Sequence, residues 1–337
     1  MKAAYYCGNE KFDIRPGTQE ALIPGMVRVK IAYCGVCGTD VHIYHGKMDQ
    51  RVQIPQIIGH EVAGVIEEVA PDVAEFKKGD HVAIRPLQPG LEDAADNGQL
   101  HIGKNLKFIG IDSPGGMQTY WNVPAYTLHL LPEDMPLHIG ALIEPLAVAC
   151  HDVRLSELKA GENVVVLGGG PIGVLIALIA QYKNASVLLS EPNINRAQMA
   201  KSLGINVVNP NLDDLVSAVE VFSHGAMADV VFEVAGVIPT VEIMTQLARA
   251  RGRIIMVAIH GVKREIDLFR FFWRELKLIG VRVYEPEDFD EAIQIAASGN
   301  LPLEELITSI SPLEKISEVF KAIDENPAGI KYLLKVD

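Results

Sequence analysis

The stretch "VVVLGGGPIG", Val164 to Gly173, constrains the fold most, because it joins an apolar strand, a glycine turn and an apolar helix end to end. Gly168, Gly170 and Gly173 have the spacing of G-x-G-x-x-G, and each serves a distinct physical purpose, in turn a tight turn, close approach of the backbone to a pyrophosphate, and close packing of helix on sheet. Pro171 and Ile172 open the helix, whose free N–H groups and partial positive charge would face the phosphates. A dinucleotide site of this kind needs an acid about 20 residues on, at the end of the second strand, to hold the ribose hydroxyls. Glu191 closes "SVLLSE" and meets that need. It favours NAD, since NADP would call for a positive or small residue there, or an Arg just after, and Pro192 follows. Arg196, one turn into the next helix, is placed to lie along the adenosine.

The same texture continues through "INRAQMAKSLG", "DVVFEVAG", "RGRIIMVA" and "LKLIGVRV". Strand and helix in alternation imply a parallel sheet wound with right-handed crossovers. Residues 1 to about 125 read differently, as short β-segments punctuated by Gly and Pro: "MVRVKIAYCG", "HEVAGVIEEVA", "KKGDHVAIRP" and "GGMQTYWNVPA". A polar, glycine-rich lobe starting at "LQPGLEDAADNGQLHIGK" lies between them. The tail reads as two helices around a short extended segment. At 337 residues, 49% of them hydrophobic, the chain has enough apolar material for two cores.

A net charge of −13 argues against a nucleic-acid or anionic-membrane partner, either of which needs a basic face. Four cysteines cannot frame so long a chain with disulfides, and no secretory leader pattern opens it, so a cytoplasmic location is expected. Val164–Ala180 is apolar, but its glycines and proline interrupt it before the roughly 20 residues of a membrane span.

The segment "CGVCGTDVHIYHGK", from Cys34 to Lys47, fits neither a C2H2 finger nor a thioredoxin-like C-x-x-C, and its glycines argue for a loop. Further on, His60 and Glu61 stand together at the entrance to a strand, and Glu144 interrupts the apolar "GALIEPLAVACH". A buried carboxylate is expensive unless it is paired or binds a metal. One thiolate, one imidazole and one or two carboxylates suit zinc with an open coordination position, the catalytic arrangement.

In this order, "GVCGTDVH", "GHEVAGVIEEV", "KKGDHVA", "GALIEPLAV" and "VVVLGGGPIG" resemble the zinc-dependent medium-chain alcohol dehydrogenases over essentially the whole chain, and the sorbitol (polyol) dehydrogenase branch most. The resemblance implies a GroES-like catalytic domain at 1–150, completed by 285–337, around a Rossmann NAD-binding domain at 151–284. It implies one catalytic zinc bound by Cys37, His60, Glu61 and Glu144, directly or through water, with Cys34 a packed loop residue. Cys7 and Cys150 read as small buried hydrophobes. The four-cysteine lobe of the family's second zinc is missing between Gly38 and Ala149, so no structural zinc is expected. The family also implies a homotetramer or dimer.

The reaction implied is oxidation of a secondary alcohol: the metal lowers the alcohol's pKa and NAD takes the hydride. Thr39 and His42 occupy the positions of the family's proton relay, and His has the right intrinsic pKa for a shuttle. His45, His81, His101, His138, His151 and His260 read as surface or packing residues. Arg85, Lys47 and Arg51 read first as a solvated charged edge; turned into the cleft, they would pair with an acidic sugar or a sugar phosphate. "GVRVYEP" departs from the branch by placing Val283 between Arg282 and Tyr284. A polyol, sugar or sugar-acid dehydrogenase is therefore expected. L-Threonine 3-dehydrogenase is the alternative enzyme, and a non-catalytic NAD-binding structural relative is the alternative of another class. Zinc-free quinone reductases of the same fold do not need Cys37, His60 and Glu144.

Overall fold

The computed structural model of the protein describes residues 1–17, 20–326 and 328–337. Its internal contacts divide the chain into two units: Met1–Glu144 with Glu285–Gly299 and Leu303–Asp337, and Pro145–Tyr284 with Asn300–Pro302.

The first unit is built on a seven-stranded sheet centred on the strand Met26–Gly35. Glu61–Val69 pairs antiparallel with it on one side, followed by His81–Ile84 and Leu128–Leu130. On the other side lies Lys331–Lys335, then Ile307–Pro312, while Tyr120–Pro124 pairs with the early part of the central strand. The β-branched and apolar residues expected as strands form them, with Val27, Val29 and Ile31 fully buried. The closing strand Lys331–Lys335 is a segment that sequence reading left unassigned. Its "KYLLK" is too short to announce itself, yet it pairs with residues about 300 positions earlier.

The lobe between the catalytic motifs holds one short hairpin, Leu87–Gln88 with Lys107–Phe108, and two 3-10 turns. Asp93 and Asp96 cap the first turn reciprocally, and the Asn105 amide donates to the Leu91 carbonyl.

The second unit has six parallel strands in the spatial order Asn206–Val208, Ser186–Ser190, Asn163–Leu167, Ala228–Glu233, Ala248–Met256 and Lys277–Gly280. In chain order this is 3-2-1-4-5-6, the doubly wound arrangement that places a ligand where the order reverses. Its helices are apolar toward the sheet: Gly173 to Ala180 of the helix Pro171–Tyr182 are all buried. Arg253, inside the strand Ala248–Met256, is buried because its guanidinium donates to the Ser156 and Glu157 carbonyls and pairs with Glu162.

Candidate active site

The segment read as a loop around Cys37 is instead a helix, Gly38–Tyr44, with Cys37 as its N-cap. Asp40 explains the difference: its Oδ2 accepts from the Cys37 amide at 2.9 Å, satisfying a donor the helix leaves open, while Ile43 and Tyr44 bury the inner face. Cys34 is likewise not in a loop but near the end of the central strand, fully buried, where burial pushes its thiol pKa well up. Cys150 is buried, whereas Cys7 is only half-buried and contacts the Arg15 guanidinium.

Cys37, His60 and Glu61 converge in the first unit, each offering a ligand atom within 4.8 Å of the others. His60 and Glu61 are almost fully buried, and the Phe108 ring stands edge-on to the imidazole. Behind His60 stands Asp40, wholly buried, with Oδ1 3.5 Å from Nδ1. That separation is a charge contact rather than a formed hydrogen bond, and neither atom has a hydrogen-bond partner among the described residues. Burial disfavours the imidazolium, but the charges of Asp40 and Cys37 outweigh it and hold the His60 pKa well above the usual value. The carboxylate thus faces the imidazole from the side where a metal-bound histidine has its outer partner. A half-buried thiol beside a buried imidazole and a buried carboxylate, with an acid backing the imidazole, fits zinc.

Sequence reading missed Lys331, which the late strand carries to this pocket. Its Nζ donates to both oxygens of Glu61, at 2.6 and 2.7 Å, and both side chains are buried. Gly35 makes the contact possible: it lies on the strand between the two, and a Cβ there would come within 2.1 Å of Glu61 Oε2. Burial lowers the Lys331 pKa, yet Glu61, then Cys37 and Glu144, raise it above the ordinary lysine value. Glu144 is therefore near this charge cluster, buried in the first turn of the helix Ile143–Leu155, although it is outside the compact trio. No pattern at 331 marks this role; only the strand register does.

Thr39 and His42 are three apart on the helix Gly38–Tyr44 and so share a face. His42 is exposed, and partial burial with the nearby Lys47 and His45 charges keeps its pKa below normal, so the ring is neutral at pH 7. Of the cations read as a solvated charged edge, Arg51 is exposed but already paired, whereas Arg85 is buried and hydrogen-bonded. Arg85 is buried and donates to His129 Nε2 and the Tyr126 carbonyl, and His129 in turn bonds Asp290. Arg51 grips Asp112 through two bonds of 2.6 and 2.7 Å. Among the histidines read as surface or packing residues, His45 bonds Glu10 and Asp324, His138 bonds Glu304, and His260 bonds Glu233. Arg282 is exposed and Tyr284 is fully buried.

In the second unit, Gly168 adopts φ +114° at the end of the first strand, and a Cβ on Gly173 would lie 1.9 Å from the Gly168 carbonyl. Gly170 caps the helix, with Pro171 at its first position and Ile172 next. The Glu191 carboxylate is buried and accepts from the Gly169 and Asn193 amides, both at 2.7 Å. The Arg196 guanidinium lies beside Gly170, its Nε buried without a hydrogen-bond partner among the described residues.

Two family models match the sequence, the alcohol dehydrogenase GroES-like domain over residues 23–133 and the zinc-binding dehydrogenase over 171–298. The chain belongs to the zinc-dependent medium-chain alcohol dehydrogenases. Like the family, it is an oxidoreductase acting on alcohols. The 2-dehydro-3-deoxy-L-galactonate 5-dehydrogenase of Pseudoalteromonas atlantica is 52% identical over 336 residues, covering 99% of this chain and 98% of that protein. The L-threonine 3-dehydrogenase of Pyrococcus horikoshii is 31% identical, covering 93% and 92%. The solved galactitol-1-phosphate dehydrogenase of Escherichia coli superposes over the full length of both chains with a TM-score of 0.93 at 26% identity. Among the described residues no helix is long and apolar enough to cross a membrane.

Proposed function

We propose that this medium-chain dehydrogenase oxidises a secondary alcohol of an acyclic sugar acid, with NAD as hydride acceptor. The observation that carries the chemistry is the trio of half-buried Cys37 and buried His60 and Glu61, with Asp40 behind it. These residues, with Glu144, are the groups the chain offers a single zinc ion, which when bound would polarise the substrate hydroxyl. Asp40 orients His60, Lys331 holds Glu61, and Phe108 keeps water from the imidazole. Thr39 and His42, which share a face of the helix Gly38–Tyr44, would move the proton outward. NAD is favoured because the fixed, buried Glu191 carboxylate would repel a 2′-phosphate. The sugar-acid class is supported by the relative at 52% identity and by Lys47. With Arg51 paired to Asp112 and Arg85 hydrogen-bonded to His129 and the Tyr126 carbonyl, Lys47 is the one of the three cations whose side chain has no partner among the described residues, and its charge reaches His42.

Zinc content per chain, measured together with NADH formation on 2-dehydro-3-deoxy-L-galactonate, hexitols, sugar phosphates and threonine, with and without chelator, tests this reading. About one zinc per chain and chelator-sensitive oxidation of the sugar acid are expected. Turnover of threonine or a neutral hexitol instead, or activity that survives metal removal, would overturn the assignment.

A further inference from the structure

Glu233, the last residue of the strand Ala228–Glu233, is fully buried and belongs neither to the glycine turn nor to the metal pocket. Its Oε1 accepts from the Gly236 amide at 2.8 Å and from the Thr240 hydroxyl at 2.6 Å. Its Oε2 faces His260 Nε2 at 3.1 Å. Its backbone carbonyl accepts from the Val257 and Ala258 amides, so one residue holds the start of the segment 257–267 at both main chain and side chain. Beyond Ala258 the described hydrogen bonds supply this segment with little else, and Ile259 and Val262 point into solvent at 92% and 60% exposure.

The surroundings are those of the dinucleotide site. A Cβ on Gly168 would meet Ala235 at 3.1 Å, and one on Gly236 would meet Ala258 at 3.2 Å. The glycine turn, the end of the fourth strand and the segment after the fifth therefore pack in sequence along the carboxyl edge of the sheet. In a 3-2-1-4-5-6 sheet the dinucleotide crosses that edge between strands 1 and 4, with one mononucleotide half on each side. Glu191 and Arg196 stand on the adenosine side; Glu233 and 257–267 stand on the other.

We propose that His260 is a positioning residue for the nicotinamide half of the cofactor: its bond to the buried Glu233 carboxylate pins 257–267 against the sheet edge, so the ring meets an ordered wall. The inference rests on the nicotinamide-dinucleotide reading of Gly168–Gly173. With Nε2 facing Glu233, the other ring nitrogen, Nδ1, is buried and has no hydrogen-bond partner among the described residues. The bond to Glu233 is thus the imidazole's one described polar anchor.

The test compares NADH and ADP-ribose binding in wild type, His260→Ala and His260→Gln. ADP-ribose lacks the nicotinamide, and glutamine can present its amide N–H where histidine presents Nε2. His260→Ala is expected to raise the Kd for NADH about tenfold, the scale of one lost hydrogen bond to a charged group, and that for ADP-ribose by less than about twofold. His260→Gln should return NADH binding to within about threefold of wild type. Unchanged NADH binding in His260→Ala, equal weakening of both ligands, or a glutamine variant as weak as alanine would overturn the proposal. Wild-type protein that bound neither ligand would overturn the underlying cofactor reading as well.

Discussion

Replacing Lys331 by alanine in chelator-treated protein isolates the ion pair beneath the metal pocket. The ammonium makes two charge-assisted bonds to Glu61, and the side chains are 4% and 2% exposed, so water cannot take the place of either partner. Such bonds are worth about 1.5–3 kcal/mol each, and breaking a buried pair costs about 3–5 kcal/mol, because the surviving charge stays dry. For a folding unit of roughly 150–250 residues that is a fall in Tm of about 6–20 °C. Stability is to be followed by urea denaturation with a probe in the first unit. The loss should shrink as pH falls, since in the variant Glu61 escapes the penalty by taking up a proton. Lys331→Met with Glu61→Gln should be markedly more stable than Lys331→Met alone, because a neutral pair leaves no orphaned charge. A loss below about 1 kcal/mol in Lys331→Ala, or a double variant no better than the single, would refute the view that burial makes this contact strong.

Asp40→Asn should lower zinc affinity about 10- to 100-fold, since it removes the charge behind His60; competition with a chromophoric chelator measures it. Gly173→Ala should abolish ADP-ribose binding or unfold the second unit, since the new methyl meets the Gly168 carbonyl at 1.9 Å; calorimetry and far-UV circular dichroism separate the two outcomes. His45 has its pKa raised by hydrogen bonds to Glu10 and Asp324. This contribution to stability is therefore complete below the unfolded histidine pKa of about 6.5 and lost as pH rises through the higher folded value. His45→Gln should flatten that part of the urea-midpoint profile between about pH 6 and 8, and an unchanged slope would assign it elsewhere.

The sequence by itself determined what depends on local order. The glycine turn, the apolar helix behind it and the acid at the end of the next strand lie within about 25 residues, so spacing alone reports the dinucleotide fold. Glu144 stands out because an acid inside an apolar run announces a costly buried group, whereas Cys37, His60 and Glu61 are singled out as a ligand set by resemblance to the family. Tertiary structure decided what arises from contacts between distant segments. Helix or loop around Cys37 turned on whether Asp40 would cap the chain or face solvent, and burial against His60 settles it. Arg85 and Arg51 look alike in sequence to cations awaiting a substrate, and only packing shows His129, Tyr126 and Asp112 already holding them. The same holds for Lys331 and His260, whose carboxylates lie 270 and 27 positions away in the chain. A side chain's intrinsic chemistry is fixed by its type, but its partner is fixed by strand register, and register is a property of the whole sheet.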